Sequence, residues 1–327
     1  MNHEAIIELK NVKQYFPIKG GVFKQVVGHV RAVDDISIAI KGQETLALVG
    51  ESGCGKSTTG KMILRLLQPT AGEILYNGQN ILALSNSQFR DLRKEIQIVF
   101  QDPYSSLNPR MTVKQLLLEP ILTHKLMSKQ QAEIEVNEII RNVGLTEKSL
   151  SKYPHEFSGG QRQRISIARA LVLKPKFLVL DEPVSALDVS IQAQILNLLN
   201  KLQHQYQLTY LFISHDLNVV RHVSDRIAVM YLGHIVEIST AQELFENPKH
   251  PYSQALISAI PKKHPNDFVE RIILKGEIPD PSNPPTGCPF HTRCLYVQDQ
   301  CKIGGISMVQ LNEHHHVKCI LYNDEKS

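Results

Sequence analysis

The stretch Gly50-Glu51-Ser52-Gly53-Cys54-Gly55-Lys56-Ser57-Thr58 constrains this chain more than any other. It satisfies the phosphate-binding pattern G-x-x-x-x-G-K-S/T at every fixed position. Glycines let the backbone wrap a polyphosphate with several N–H groups pointing inward. A helix starting near Lys56 adds its positive N-terminal end. The Lys56 ammonium can reach the terminal phosphates and the Ser57 hydroxyl can ligate Mg²⁺. The flanks supply the context that a chance match would lack. TLALV, at 45–49, reads as a short buried strand entering the loop, and 56–67 reads as the helix leaving it.

The rest of the chain alternates strand and helix patterns. Residues 6–12 and 32–40 alternate apolar and polar residues, as half-buried strands do, and the glycine-bearing 17–30 between them reads as a loop. IQIVF (96–100), FLVL (177–180) and the apolar run at 211–213 read as strands, the middle one as a central parallel strand. A helical insert follows Thr112 and ends near Tyr153-Pro154. Residues 227–230 and 234–238 form a last strand pair. The order predicts an α/β sheet with polar and acidic groups collected at strand ends. From about Leu244, Pro248, Pro251, Pro261, Pro265, Pro279, Pro281, Pro284 and Pro285 break the chain into what reads as a separate small module with little regular structure.

The balance of charge, +4 for 327 residues, is too mild to argue for nucleic acid. No run of about twenty apolar residues spans a membrane, and MNHEAIIELK lacks the apolar centre of a signal peptide. The expectation is a cytosolic protein, or one attached to a membrane through a partner.

Several residues stand where a nucleotide machine needs them. Asp181 ends an apolar strand, as an acid that helps hold Mg²⁺ should, and the adjacent Glu182 can polarise an attacking water as general base. Gln101 and His215 also end strands. Ser158-Gly159-Gly160-Gln161 opens a helix and forms a second phosphate site. One domain cannot readily place two such sites on one nucleotide, which points to a dimer.

Together these segments resemble an ATP-binding subunit of an ABC transporter. The matching stretches are the Walker A loop GESGCGKST, the Q-loop glutamine in VFQDP, the signature FSGGQRQR, the Walker B segment FLVLDEP, the D-loop SALD ending at Asp188, and the H-loop FISHD. The resemblance covers roughly 5–245. It implies a P-loop NTPase: a RecA-like α/β core, an antiparallel β subdomain and a helical subdomain at about 104–157, here with a small irregular C-terminal module at 246–327. It implies ATP and Mg²⁺ as ligands, with Ser57, Gln101 and Asp181 around the metal, Glu182, Gln101 and His215 in catalysis, and Phe16 rather than Tyr15 stacking on adenine. ATP would lie between Walker A of one subunit and the Ser158–Gln161 helix start of the other. The groove near 104–111 would receive a cytoplasmic helix of a permease.

YFPIKGGVFKQVVGHVRAVDDIS, VFQDPYSSLNPRMTV and HPYSQALISAIP followed by GEIPDPSNPPTGCPFHTRC narrow the resemblance to the peptide and nickel importer subfamily. The glycine-bearing loop is similar to that of the F-type ATPase of oligopeptide or dipeptide importers. The implied partners are a related D-type ATPase, two integral membrane permease subunits and a solute-binding protein outside the membrane, with this chain peripheral on the cytoplasmic face. A nickel-complex importer and a soluble ABC ATPase acting on DNA or ribosomes are the alternatives. The single cassette, the lack of a heptad run and the lack of a basic face favour import.

Cys54 lies in the phosphate loop. Cys288, Cys294, Cys301 and Cys319 all fall in the tail. A compartment rich in ATP is reducing, which disfavours stable disulfides, so four thiols in a segment with little core suggest a metal centre. No tight pair of the zinc type exists. Some members of the subfamily that this tail resembles bind a 4Fe-4S cluster, so iron–sulfur ranks first, empty or disulfide-linked cysteines second and zinc third. His314-His315-His316 reads as a solvated or tail-packing segment.

Overall fold

A computed structural model describes residues 4–21, 24–260 and 271–326. Pro261 and Pro265 lie outside the described residues. In chain order the strands are β1 (Ala5–Gly20), β2 (Gln25–Lys41), β3 (Thr45–Val49), β4 (Ala71–Tyr76), β5 (Gln79–Asn80), β6 (Ile96–Val99), β7 (Phe177–Asp181), β8 (Thr209–Ser214), β9 (Arg226–Tyr231), β10 (His234–Thr240), β11 (Val309–Gln310) and β12 (His316–Val317). The chain forms two compact units, one of Met1–Ile6, Ile40–Glu44 and Ala83–Ile213, the other of Ile7–Ala39, Thr45–Leu82 and Ser214–Ser327.

In the first unit β7 runs parallel between β8 and β6, with Phe177 opposite both Ile96 and Thr209. Every residue of β7 is buried, which is why it reads as an unbroken apolar run. Each such Leu or Phe contributes about 1.5–3 kcal/mol relative to exposure. The helices Val113–Thr123, Lys129–Asn142 and Gly159–Leu171 all begin with a capping box, Thr112 with Gln115, Ser128 with Gln131 and Ser158 with Gln161. The recurring S/T-x-x-Q pattern satisfies otherwise unpaired N–H groups at each helix start. Of the apolar residues at helical spacing in this segment, Leu116, Leu117, Ile121, Ile139, Ile140 and Val143 are buried, whereas Leu122 and Ile134 face outward.

In the second unit the strand order β2-β1-β4-β5 forms one sheet and β11-β12-β10-β9-β3 another stretch of sheet. β3 pairs parallel with β9, and β10 pairs antiparallel with β9 and β12. Three expectations change. The segment 17–30 is not a loop: β1 extends to Gly20, β2 starts at Gln25, and only Gly21 (φ 70) and Lys24 (φ 49) turn the backbone among its described residues. The helix after the phosphate loop is Lys56–Ile63, four residues shorter than its apolar pattern. Arg65 adopts φ 50, its N–H bonds Met62 O and the Leu66 N–H bonds Lys61 O, which closes the helix end before Pro69. The tail carries more regular structure than its prolines suggest, with helices Pro251–Ser258 and Gln300–Ile303, and β12 hydrogen-bonded to β10 through Glu237 opposite Val317.

That pairing is locked by a buried charge. Glu237 is fully buried and accepts hydrogen bonds from the N–H groups of Lys249 and His250 at 2.8 and 2.9 Å. His315, also fully buried, places Nε2 2.6 Å from Glu237 and Nδ1 3.2 Å from Glu243. Among the three consecutive histidines, His315 is thus the tail-packing one. Burial pushes the His315 imidazole down, but its bonds and charge contacts with Glu237 and then Glu243 together outweigh burial and raise it above its ordinary value. A raised folded-state value means that the stabilisation is complete below the unfolded value, about 6.5, and is lost as pH rises through the folded value. Thermal unfolding followed upward from about pH 6 should show a decline in stability that is absent in His315→Gln. At pH 6 that variant should itself be less stable by on the order of 3 kcal/mol, because Glu237 loses its charged partner.

Candidate nucleotide site

The phosphate loop belongs to the second unit and is shaped by β3 and β9. A side chain at Gly50 (φ 154) would run into the carbonyl oxygen of Met230, and one at Gly55 (φ 109) into that of Ala32. Both positions therefore admit only glycine, which is the physical content of the sequence pattern. Lys56, 5% exposed, donates from Nζ to Gly50 O at 2.8 Å and to Glu51 O at 2.9 Å. The ammonium is thus held over the loop by its own carbonyls. Thr59 Oγ1 donates to Gly55 O at 3.1 Å and fixes the first helical turn. Ser57 and Thr58 begin the helix beside it. Cys54 is buried, which raises its thiol above the usual range, with Lys56 acting in the opposite direction. Its sulfur lies 3.7 Å from Lys56 Nζ. Ser52 and Gly53, with Glu51 and Cys54, line a cavity of about 310 Å³ that also touches Tyr231 and 278–281.

On β1, Tyr15 donates its hydroxyl to Asp34 at 2.5 Å and its ring lies under Arg31 at 5.7 Å, so that side chain is committed. Burial first, then the bond to Asp34, pushes its phenol up to about 12. Phe16 beside it is half-buried. His215 follows β8 directly and is exposed, and the next residue, Asp216, caps the helix Leu217–Val223 through the Asn218 N–H at 2.8 Å.

The acidic residues belong to the first unit. Asp181 ends β7 with 5% exposure. Glu182 takes a left-handed backbone (φ 46), and its N–H donates to Ile213 O at 3.0 Å. Such a conformation costs a non-glycine residue about 1–2 kcal/mol. The Glu182 carboxylate accepts a hydrogen bond from Gln101 Nε2 at 2.8 Å. The fold therefore brings Gln101 and Glu182, 81 residues apart, into direct contact. Asp102, next to Gln101, caps the helix Pro103–Ser106 through the N–H groups of Tyr104 and Ser105. That helix is tied to the signature helix Gly159–Leu171: Arg169 donates to Ser106 O at 2.8 Å, and Arg162 lies 5.2 Å over the Tyr104 ring. Ser158, Gly159 and Gln161 are exposed at the start of that helix and Gly160 is half-buried. Ser158 Oγ caps the Gln161 N–H at 3.4 Å. Asp188 is the exposed first cap of the helix Val189–Tyr206.

Residues 33–185 match the ABC transporter family, and 236–301 match the C-terminal region of oligopeptide/dipeptide transporters. The chain is 53% identical to the oligopeptide transport ATP-binding protein AppF of Bacillus subtilis over 98% of its own length and 99% of that protein's. This chain belongs to the ATP-binding proteins of the peptide ABC transporters. It is also 49% identical to the dipeptide transport ATP-binding protein DppF of Escherichia coli, over 89% of this chain and 87% of that one. Among solved structures, cbiO1 from Clostridium perfringens, part of the ABC transporter complex cbiONQ, superimposes with a TM-score of 0.65 at 29% identity, covering 75% of this chain and 92% of that one. A dimeric ATP-binding cassette bound to ADP and Pi gives 0.64 at 29% identity, covering 72% and 98%. The fold is that of an α/β P-loop ATPase.

The tail cysteines come from separate segments, yet Cys288, Cys294, Cys301 and Cys319 line one cavity with His250 and Phe290. All four are free thiols. Burial first, then the mutual proximity of the thiols, pushes Cys288 and Cys319 up to about 11. Among the described residues no group of three or more His, Cys, Asp or Glu side chains is arranged to hold a metal ion. The structure gathers the four residues but does not give them ligating geometry. Sequence reasoning missed Arg293 and Tyr252, both of which contact the phosphate loop from the tail.

Proposed function

We propose that this chain hydrolyses ATP to power the import of oligopeptides or dipeptides through an ABC transporter. The observation that carries the reading is the joining, in one chain, of a transporter ATPase cassette and the C-terminal region of oligopeptide/dipeptide transporters, with near-complete coverage of peptide-transport relatives. Lys56, the Gly50–Thr58 backbone and Ser57 would hold the phosphates and Mg²⁺, with Asp181 and Gln101 on the metal side, Phe16 against adenine and Glu182 as general base. Ser158–Gln161 and Asp188 would serve the nucleotide of the opposite subunit, and His215 the γ-phosphate. Contacts from Gln101 through Asp102 and Ser106 to Arg169 support a route by which the nucleotide state reaches the helical insert and a permease helix near 104–111.

The finer partners follow the same reading: a D-type ATPase, two permease subunits and an external solute-binding protein, with this chain peripheral at the cytoplasmic face of the membrane and not on nucleic acid. Among the described residues no helix is long and apolar enough to cross a membrane. A 4Fe-4S cluster on the tail cysteines is supported by their shared cavity and opposed by their lack of ligating geometry. No step of hydrolysis is routed through it. The experiment is reconstitution of the complete transporter, purified anaerobically, in vesicles. ATP-driven uptake of labelled peptide is expected. Uptake of nickel complexes but not peptides would move the assignment to the alternative cargo. Iron and sulfide near four atoms of each per chain would establish the cluster, and their absence from cluster-competent cells would remove it.

A further inference from the structure

Glu51 places a carboxylate inside a loop built to receive polyphosphate, where its charge opposes the ligand's. The tail answers it. Arg293 Nη1 donates to Glu51 Oε2 at 2.9 Å and Nη2 to Oε1 at 3.3 Å, a two-pronged pair. The Arg293 side chain is 9% exposed and the Glu51 side chain 27%, so solvent screens this pair less than a surface one. Tyr252 Oη accepts the Glu51 backbone N–H at 2.9 Å, so main chain and side chain of this one loop residue are both held from the tail. The holding groups are themselves fixed. Tyr252, Tyr231 and Phe290 pack against one another with ring centroids 4.7–5.4 Å apart, and the guanidinium lies 5.9 Å over the Tyr231 ring. The Arg293 N–H closes a turn on Phe290 O, between Cys288 and Cys294.

We infer that Arg293 is a positioning residue for the phosphate loop, cancelling the Glu51 charge and anchoring Glu51 from the tail. The inference rests on the nucleotide reading of Gly50–Thr58. It assigns the C-terminal region a part in ATP binding that acts through the phosphate loop. The cysteine-bearing turn thereby gains a mechanical connection to the nucleotide loop, whatever occupies the cysteine cavity.

The test is equilibrium binding of ATP, ADP and AMP to the full-length chain and its variants. Arg293→Met keeps length and contact with Tyr231 but removes the charge. It should weaken ATP about tenfold, ADP less and AMP scarcely, since the uncovered carboxylate repels in proportion to phosphate charge. Adding Glu51→Gln should restore ATP affinity to within about twofold of wild type, a coupling that a purely structural role would not produce. In the assembled transporter KM for ATP should move more than kcat. Should Arg293→Met not fold, Arg293→Gln and its Glu51→Gln double variant carry the same comparison. Unchanged ATP binding by the single variant, or a double variant as weak as the single, overturns the inference. A wild-type chain that binds no ATP overturns the nucleotide reading itself.

Discussion

Glu182→Gln is expected to leave ATP bound and slow its hydrolysis by about 10²–10⁴-fold, the usual contribution of a positioned general base. The amide keeps the shape of the carboxylate, so the left-handed turn at φ 46 and the approach of Gln101 survive. What it cannot do is take a proton from water. Gln101 would meet either oxygen or nitrogen at position 182 and can rotate its own amide to match, so the contact persists while the base is lost. The observable is a long-lived ATP-bound dimer of the ATPase subunits, seen as their combined mass with nucleotide retained. Burst and steady-state phosphate release on the same sample separate slow chemistry from slow product release.

Lys56→Ala is expected to act one step earlier, weakening ATP binding by about a hundredfold through the loss of charge-assisted bonds to the phosphates. A second effect follows from the contacts that Lys56 makes within the loop. Lys56 Nζ satisfies the carbonyls of Gly50 and Glu51, and its removal leaves these groups without that donor, at a cost of about 1–3 kcal/mol if they are not rehydrated. Calorimetric ATP titration should therefore lose its signal, and thermal unfolding without nucleotide should fall as well. Glu182→Gln should show neither change, which separates the two residues by mechanism.

Much of this was legible in the chain itself, for physical reasons that differ between elements. Gly50 and Gly55 are fixed by close approach of other backbone, and such positions leave a mark in sequence because only glycine fits. The β7 run is legible because a parallel strand covered on both faces must be apolar throughout. Capped helices advertise themselves through S/T-x-x-Q. Other features left no local mark. The hairpin of β1 and β2 was hidden by glycines that merely sit in strands, as Gly20 and Gly28 do. The end of the helix at Ile63 depends on Arg65 taking a conformation usually reserved for glycine. The grip of Arg293 on Glu51 spans 242 residues, and no periodicity or spacing can carry such information. Buried Glu237 and His315 are likewise paired across 78 residues, so three consecutive histidines could not reveal which one faces inward. For the tail cysteines, clustering in sequence did translate into a shared cavity, but not into metal-ligating geometry.

The central claim is that hydrolysis at this chain's own Lys56, Asp181 and Glu182 drives peptide import. Its most direct test is the rate of phosphate release by the complete transporter in vesicles, with and without peptide, for wild type and for Glu182→Gln in this subunit alone. The account predicts peptide-stimulated hydrolysis coupled to uptake in the wild type, and loss of both in the variant with ATP still bound. Wild-type rates of hydrolysis and uptake in the variant would contradict it.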